Sequence, residues 1–338
     1  MSDTKKNKKK SFIKDFLITL FLGVLIIIGA IISNRFPDEV NNMIETNLNI
    51  PVNTANEALA INTIDSTVVS ADSKLQIYYF DVGQADSTLL IADGQTMLID
   101  AGNDEDGILI TQYIQGLGVE KIDYLVATHP HEENVGGMND IVNNFEIGKV
   151  YMPDVRTNTA PFLAFIDALS AKGISATSCD IGDTFGLGDG IATIMSVENE
   201  EQTNLNQNSI VIHLTYGDKA FLFMGDAEKD NEEKYSWPKV DVLKIANHGA
   251  DTSSTEKFLN MAKPDVAIIS VGNNNNLGLP SKTVLDLLSK INSKVYRTDD
   301  DGTILLTTDG KTYNIETVVT ALDGNQATAN KDEVGEKE

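Results

Sequence analysis

The chain has 338 residues, 41% of them hydrophobic, and only eight prolines, a composition that is globular and not disordered. Its net charge of −24 conceals a split: residues 1–35 carry seven Lys/Arg against Asp3 and Asp15, leaving 19 basic and 48 acidic side chains, a balance of −29, in the rest. So acidic a body repels polyanions at long range, which argues against an extensive nucleic-acid groove; the single Cys179 rules out an intrachain disulfide.

In chain order, "KKNKKK" (Lys5–Lys10) precedes an uncharged run, Phe16–Ile32, of membrane-spanning composition. The basic cluster before the run predicts a cytoplasmic N-terminus and an extracellular main domain, a single-pass protein of the cell membrane. A signal peptide cleaved near "IGA" (28–30) is the competing reading, but the run exceeds the usual ~7–15-residue apolar region of such peptides. No Cys stands directly after the run, so a lipoprotein is not expected. Residues 36–73 are polar, rich in Asn and Thr, and read as a stalk. From Asp323 the tail "DGNQATANKDEVGEKE" has a similar composition and reads as a disordered acidic segment (323–338).

Between them, residues 74–322 are dense in strand and helix signals. "LQIYYFDV" (75–82), "STLLIA" (87–92) and "TMLIDAG" (96–102) are short β-rich runs parted by Gly- or Asp-containing turns. "GILITQYIQGLG" (107–118) has helical apolar spacing and a terminal Gly. "DYLVAT" (123–128) is an unbroken apolar run, the mark of a strand buried on both faces, and "PFLAFIDALSAKG" (161–173) opens on Pro and closes on Gly as helices do. Strands recur at 190–197, 209–216, 219–224, 241–246 and 265–271, with helices near 254–262 and 281–290. Short strands follow near 294–297, 303–308 and 312–317. This mixture predicts two mixed sheets packed together with helices outside.

Four polar groups each follow an apolar strand: "DVGQADS", "THPHEENVGG", "MGDAE" and "NHGADTSS". Residues at the ends of separate strands converge at a sheet edge. Two imidazoles, His129 and His131, with carboxylates from other loops are what a divalent metal with open positions needs. Taken in order and spacing, "DVGQADS", "NHGADTSSTEKFL", "AIISVGNNN" and "YRTDDDGTI" resemble the metallo-β-lactamase family, specifically its ComEC-like competence subgroup, over roughly residues 75–318. The resemblance implies a four-layer αβ/βα sandwich with a metal site at one sheet edge. It also implies hydrolysis of phosphodiesters, lactams or thioesters by hydroxide held between two metals.

The family loop His-x-His-x-Asp-His here reads His129-Pro130-His131-Glu132-Glu133-Asn134. The family's His-His-Gly-Ser is Asn247-His248-Gly249-Ala250, and its Gly-His-Pro is Gly278-Leu279-Pro280. Carried over residue by residue, the resemblance assigns a first ion to His129, His131 and Asp226, and a second to Glu133, Asn134, Asp226 and His248. Asp226 and His248 are the expected catalytic residues. An amide oxygen at Asn134 is a weaker donor than imidazole. The expectation is therefore one ion, Zn²⁺ or Mn²⁺, or none if the site is degenerate. Asp81 is expected to order the loop or a ligand histidine. Simpler readings apply elsewhere: His213 as a half-buried strand residue, Cys179 as structural, and "VENEEQTNLNQN" (197–208) as a solvated loop bordering the site.

Two functions compete. One is a membrane-anchored extracellular hydrolase acting on a phosphodiester or related ester. The other is a catalytically degenerate cell-surface binding or scaffold module; a DNA-uptake component is a third reading, opposed by the single span and the acidic surface.

Overall fold

The structure is a computed structural model that describes residues 74–200, 203–273 and 275–318. The expected span Phe16–Ile32, the stalk 36–73 and the tail 323–338 lie outside the described residues. Among those described, no helix is long and apolar enough to cross a membrane.

The first sheet is built from β1 (Leu75–Tyr79), β2 (Thr88–Ala92), β3 (Gln95–Ile99), β4 (Lys121–Val126), β5 (Glu146–Tyr151) and β6 (Ala176–Thr177). The chain then enters the second sheet through β7 (Thr184–Leu187), β8 (Gly190–Ser196), β9 (Val211–Tyr216), β10 (Lys219–Phe223), β11 (Val242–Lys244), β12 (Val266–Ile269) and β13 (Lys294–Arg297). It returns to the first sheet with β14 (Thr303–Thr308) and β15 (Tyr313–Val318). Strand order is β15-β14-β1-β2-β3-β4-β5-β6 in sheet one and β13-β12-β11-β10-β9-β8-β7 in sheet two. Pairing is antiparallel through β1–β3 and β7–β10, and parallel where helices connect strands, at β3–β6 and β10–β13. That is the rule for crossover connections.

Three apolar layers follow from period-2 alternation along the strands. Leu75, Ile77, Tyr79, Leu90 and Met97 of sheet one meet Ile194, Ile212, Leu214, Phe221 and Val242 of sheet two between the sheets. The opposite-parity residues Tyr78, Leu89, Leu98 and Leu125 pack outward against α1 (Gly107–Gly116), α2 (Glu132–Val135), α3 (Met138–Asn144) and α4 (Ala160–Ala171). On sheet two, Leu222, Leu243 and Ala267 pack outward against α5's follower Trp237 (α5 is Lys229–Lys234), α6 (Glu256–Ala262) and α7 (Lys282–Lys290). The order helix, sheet, sheet, helix is the expected four-layer sandwich.

Most elements fall within two residues of their predicted bounds. The strands β5 to β7 and the helices α2, α3 and α5 have no counterpart in the sequence expectation. In β5 the burial runs exposed, half, exposed, exposed, buried, buried, so no period marks it; Gly148 is required there because a Cβ would lie 2.4 Å from the Asp123 carbonyl oxygen.

Candidate metal centre

Sheet one delivers the histidine loop. β4 ends at Val126, and Thr128, His129 and His131 follow at its carboxyl end, with His131 extended (φ −77°, ψ 152°) as the N-cap of α2. The glycine pair after the loop serves close packing: a Cβ on Gly136 would lie 2.3 Å from the Asn103 carbonyl carbon, and one on Gly137 2.4 Å from the Ala101 oxygen. Sheet two delivers Asp226 after β10, and Asn247 and His248 after β11.

His129, His131 and Asp226 come together, one ligand atom of each lying within 4.8 Å of the others. His129 Nε2 is 3.0 Å from His131 Nδ1 and 3.5 Å from Asp226 Oδ2. Donors around a tetrahedral zinc, each at about 2.0–2.1 Å, stand roughly 3.3 Å apart. The two rings therefore present different nitrogens to one point, at an interplanar angle of 76°. His129 and Asp226 are fully buried, while a third of the His131 side chain faces solvent. That side is open to a further ligand.

The chemistry of the donors fits a cation. Burial, and next the charge of His131, push the His129 pKa down to about 3, so its ring is neutral with a lone pair to offer. When Asp100 is ionised, the Thr128 hydroxyl donates to its Oδ2 (2.7 Å), which leaves the hydroxyl oxygen to accept the His129 Nδ1 proton (3.1 Å). Nε2 is then bare toward Asp226. A carboxylate holding a histidine's tautomer from behind is the usual support of a metal ligand. Ser209 Oγ lies 3.4 Å from the same Nδ1 and accepts the Asp226 N–H at 3.1 Å.

The remaining predicted residues are disposed differently. Asn134 Nδ2 donates to Asp100 Oδ2 at 3.0 Å, and its Oδ1 is buried without a hydrogen-bond partner. An orphaned buried acceptor is costly unless something electropositive meets it, which suits a cation. Glu133 Oε1 stands 3.8 Å from His131 Nδ1 and is partly exposed. His248 Nδ1 donates to the Ser270 carbonyl at 2.9 Å, so its Nε2 is the ring atom left to bind. It stands outside the three-residue cluster, close enough for its charge to act on His129. Thr255 caps α6, accepting the Phe258 N–H. Asn247 is tied down: its Nδ2 donates to Glu228 Oε1 and Thr252 Oγ1, both at 3.1 Å. Glu228 also holds Asn204 and Asn206 of the bordering loop. Asp81 Oδ1 accepts the Gly83 N–H and so orders its own loop. His213 sits half-buried in β9 away from the site, and burial lifts the Cys179 thiol to about 12, as an inert structural thiol.

Asp100 was not singled out from the sequence. It is buried, accepts the Thr128 N–H and hydroxyl and the Asn134 amide, and burial nevertheless pushes its pKa up to about 8. Its signal was the one that marked the other groups, a polar residue directly after an apolar strand, in "TMLIDAG". Asp100, Asn247 and His248 all hold φ near +50° without being glycine, a strained state that persists where surrounding structure enforces it and that clusters at functional sites.

Comparison with known proteins agrees with this architecture. Residues 80–273 match the metallo-beta-lactamase superfamily model. Among curated proteins the chain is similar to ComE operon protein 3 of Bacillus subtilis, 27% identical over 69% of this chain and 33% of the relative. It is also similar to Recombination protein 2 of Haemophilus influenzae (28%; 68% and 28%) and to Competence protein ComA of Neisseria gonorrhoeae (25%; 69% and 32%). The chain spans about a third of the length of these relatives. The match covers more than half of the chain, and by it, with the two-sheet sandwich and the strand-end donors described above, the protein belongs to the metallo-β-lactamase superfamily.

Proposed function

We propose that the domain is a metal-dependent hydrolase of a phosphodiester or related ester, with one ion held by His129, His131 and Asp226. The observation that carries this reading is the convergence of a neutral His129 Nε2, His131 Nδ1 and Asp226 Oδ2 on one point. When bound, a divalent ion, Zn²⁺ or Mn²⁺, supplies Lewis acidity and lowers the pKa of water to roughly 7. The protein's own work is positioning. Thr128 and Asp100 hold the His129 tautomer, Asn247 N–H fixes Asp226 Oδ1 at 3.1 Å, and Ser270 orients His248. The partly exposed His131 and Glu133 leave a path for substrate.

The second reading, a binding or scaffold module, is favoured by a specific observation. Asn134 and Asn247 stand where the family pattern has histidine, and their amide nitrogens are engaged with Asp100, Glu228 and Thr252. The curated relatives' names support a role near competence, and the run Phe16–Ile32 supports a cell-membrane anchor with the domain outside. Extensive nucleic-acid binding is disfavoured by the acidic balance beyond residue 35. Hydrolysis of bis(p-nitrophenyl) phosphate by the metal-loaded chain, lost in Asp226→Asn, is the expected result. A chain that holds its ion yet hydrolyses no phosphodiester would leave the scaffold reading.

A further inference from the structure

The three-donor cluster draws on both sheets: His129 and His131 hang from β4, Asp226 from β10. Its geometry therefore depends on how the sheets are set against each other, and workable coordination tolerates only about ±0.2 Å. Most of the layer between the sheets is apolar, and apolar contact is non-directional. It holds the sheets together and resists small shifts between them less sharply than a hydrogen-bonded charge pair does.

A buried ion pair interrupts that layer. In β11, Val242 faces the inter-sheet layer and Leu243 the outer one; alternation puts Lys244 on the inter-sheet side with Val242. The Lys244 side chain is 3% exposed, and its Nζ donates to Asp86 Oδ2 at 2.8 Å and to the Ile245 carbonyl at 3.2 Å. Asp86 belongs to sheet one's "DVGQADS" loop and is itself buried. Its backbone is wired to the histidine loop: its N–H donates to the Glu133 carbonyl (3.1 Å), and its own carbonyl accepts from Gly102 (2.8 Å). Ala101 N–H in turn donates to the Asn134 carbonyl (2.8 Å). On the other side, Lys244 stands four residues before His248. Asp86, Asp100, Phe223, Gly225 and Lys244 line a cavity with only about 10 Å³ of room, about enough for one water.

A buried ion pair is a poor source of stability, since desolvation offsets most of the attraction and apolar replacements are often neutral or stabilising. Its better-attested use is to fix register. We propose that Lys244 is a positioning residue of the metal centre: locked onto Asp86, it sets the spacing between the His129–His131 pair on one sheet and Asp226 on the other. The inference rests on the metal-centre reading above.

The test uses the full-length chain and measures the dissociation constant for Zn²⁺ alongside thermal unfolding without metal. Two variants act on the tie: Lys244→Met with Asp86→Leu removes it and leaves no unpaired charge, and Lys244→Gln weakens it while keeping a neutral donor to Asp86. The double variant is expected to unfold at or above the parent temperature yet bind Zn²⁺ 10- to 100-fold more weakly, the usual cost of losing an outer support of a metal site. Lys244→Gln should weaken binding in the same sense. Lys219→Met, which breaks the Lys219–Asp241 pair within sheet two, should leave the constant unchanged. Parent-like affinity in either folded variant overturns the proposal, and so does failure of both to fold, which would make the pair a stability element. A parent that binds no Zn²⁺ sinks the metal reading itself, a result distinct from all of these.

Discussion

The two halves of the candidate centre are made from the same loops and behave differently. At the first position His129 Nε2, His131 Nδ1 and Asp226 Oδ2 face one another, with the other polar atoms of His129 and Asp226 already engaged. At the second, Asn134 is anchored through its amide nitrogen to Asp100, and Asn247 is bound to Glu228 and Thr252. The first half offers imidazole and carboxylate donors to an ion; the second holds Asn134 and Asn247 by their amide nitrogens and offers the neutral Asn134 amide oxygen, a weaker donor than imidazole, beside His248 Nε2.

Breaking the first half should have the largest effect. His131→Ala removes one of two imidazoles and should take metal content from near one equivalent to near zero by elemental analysis. His213→Ala, away from the site, should leave it unchanged. A variant at His131 that keeps its ion would show that the two halves do not differ as described.

Rebuilding the second half is the next test. Glu133→Asp with Asn134→His restores the family's ligand types and should raise stoichiometry from one toward two, together with phosphodiesterase activity. Asn134→His also withdraws an amide donor from Asp100. If stoichiometry stays at one, Asn247 or Leu279 is the position that limits the second ion.

How much of this was legible in the sequence differs between the same two halves. His129, His131, Asp226 and His248 announced themselves because each follows an apolar strand, and strand ends meet at a sheet edge. The choice of ring nitrogen, and the Thr128–Asp100 support behind His129, are set by contacts between loops 28 residues apart, which no local period records. Lys244 was hidden for a related reason: within "DVLKIA" it reads as a lone charge in a strand, and only Asp86, 158 residues away, gives it a role. In the same way β5 is a strand because β4 and β6 pair with it, not because its own residues alternate.

A pH dependence sharpens the comparison from beneath the site. Burial raises the Asp100 pKa to about 8 in the folded chain, against about 3.9 for an unfolded Asp. The folded state thus holds the proton more tightly. The stability it contributes is fully present below about pH 4 and is lost as pH rises toward 8. In chelator, unfolding free energy should fall between pH 5 and pH 8 by on the order of 3 kcal/mol, and Asp100→Asn should flatten that slope. A slope that survives the substitution would assign it to another group.

The smallest expected effect concerns the loop after His248. Buried Glu232 accepts the backbone N–H groups of Ser254 and Thr255 at 2.5 and 2.8 Å. Glu232→Gln keeps the shape but turns one acceptor into a donor, and should cost about 1–3 kcal/mol in denaturant unfolding. Zn²⁺ affinity at the first position should change little, because Glu232 supports only the His248 side. A large loss of affinity would mean that the halves are more tightly coupled than the geometry indicates.

The most direct measurement is the number and affinity of ions bound by the unmutated chain, by titration with Zn²⁺ and then Mn²⁺ followed by elemental analysis. One tightly held ion per chain, with any second at least 100-fold weaker, is the result predicted by the three converged donors at the first position and by the amide oxygen that stands in for imidazole at the second. No ion after careful loading, or two held with equal strength, would contradict the account.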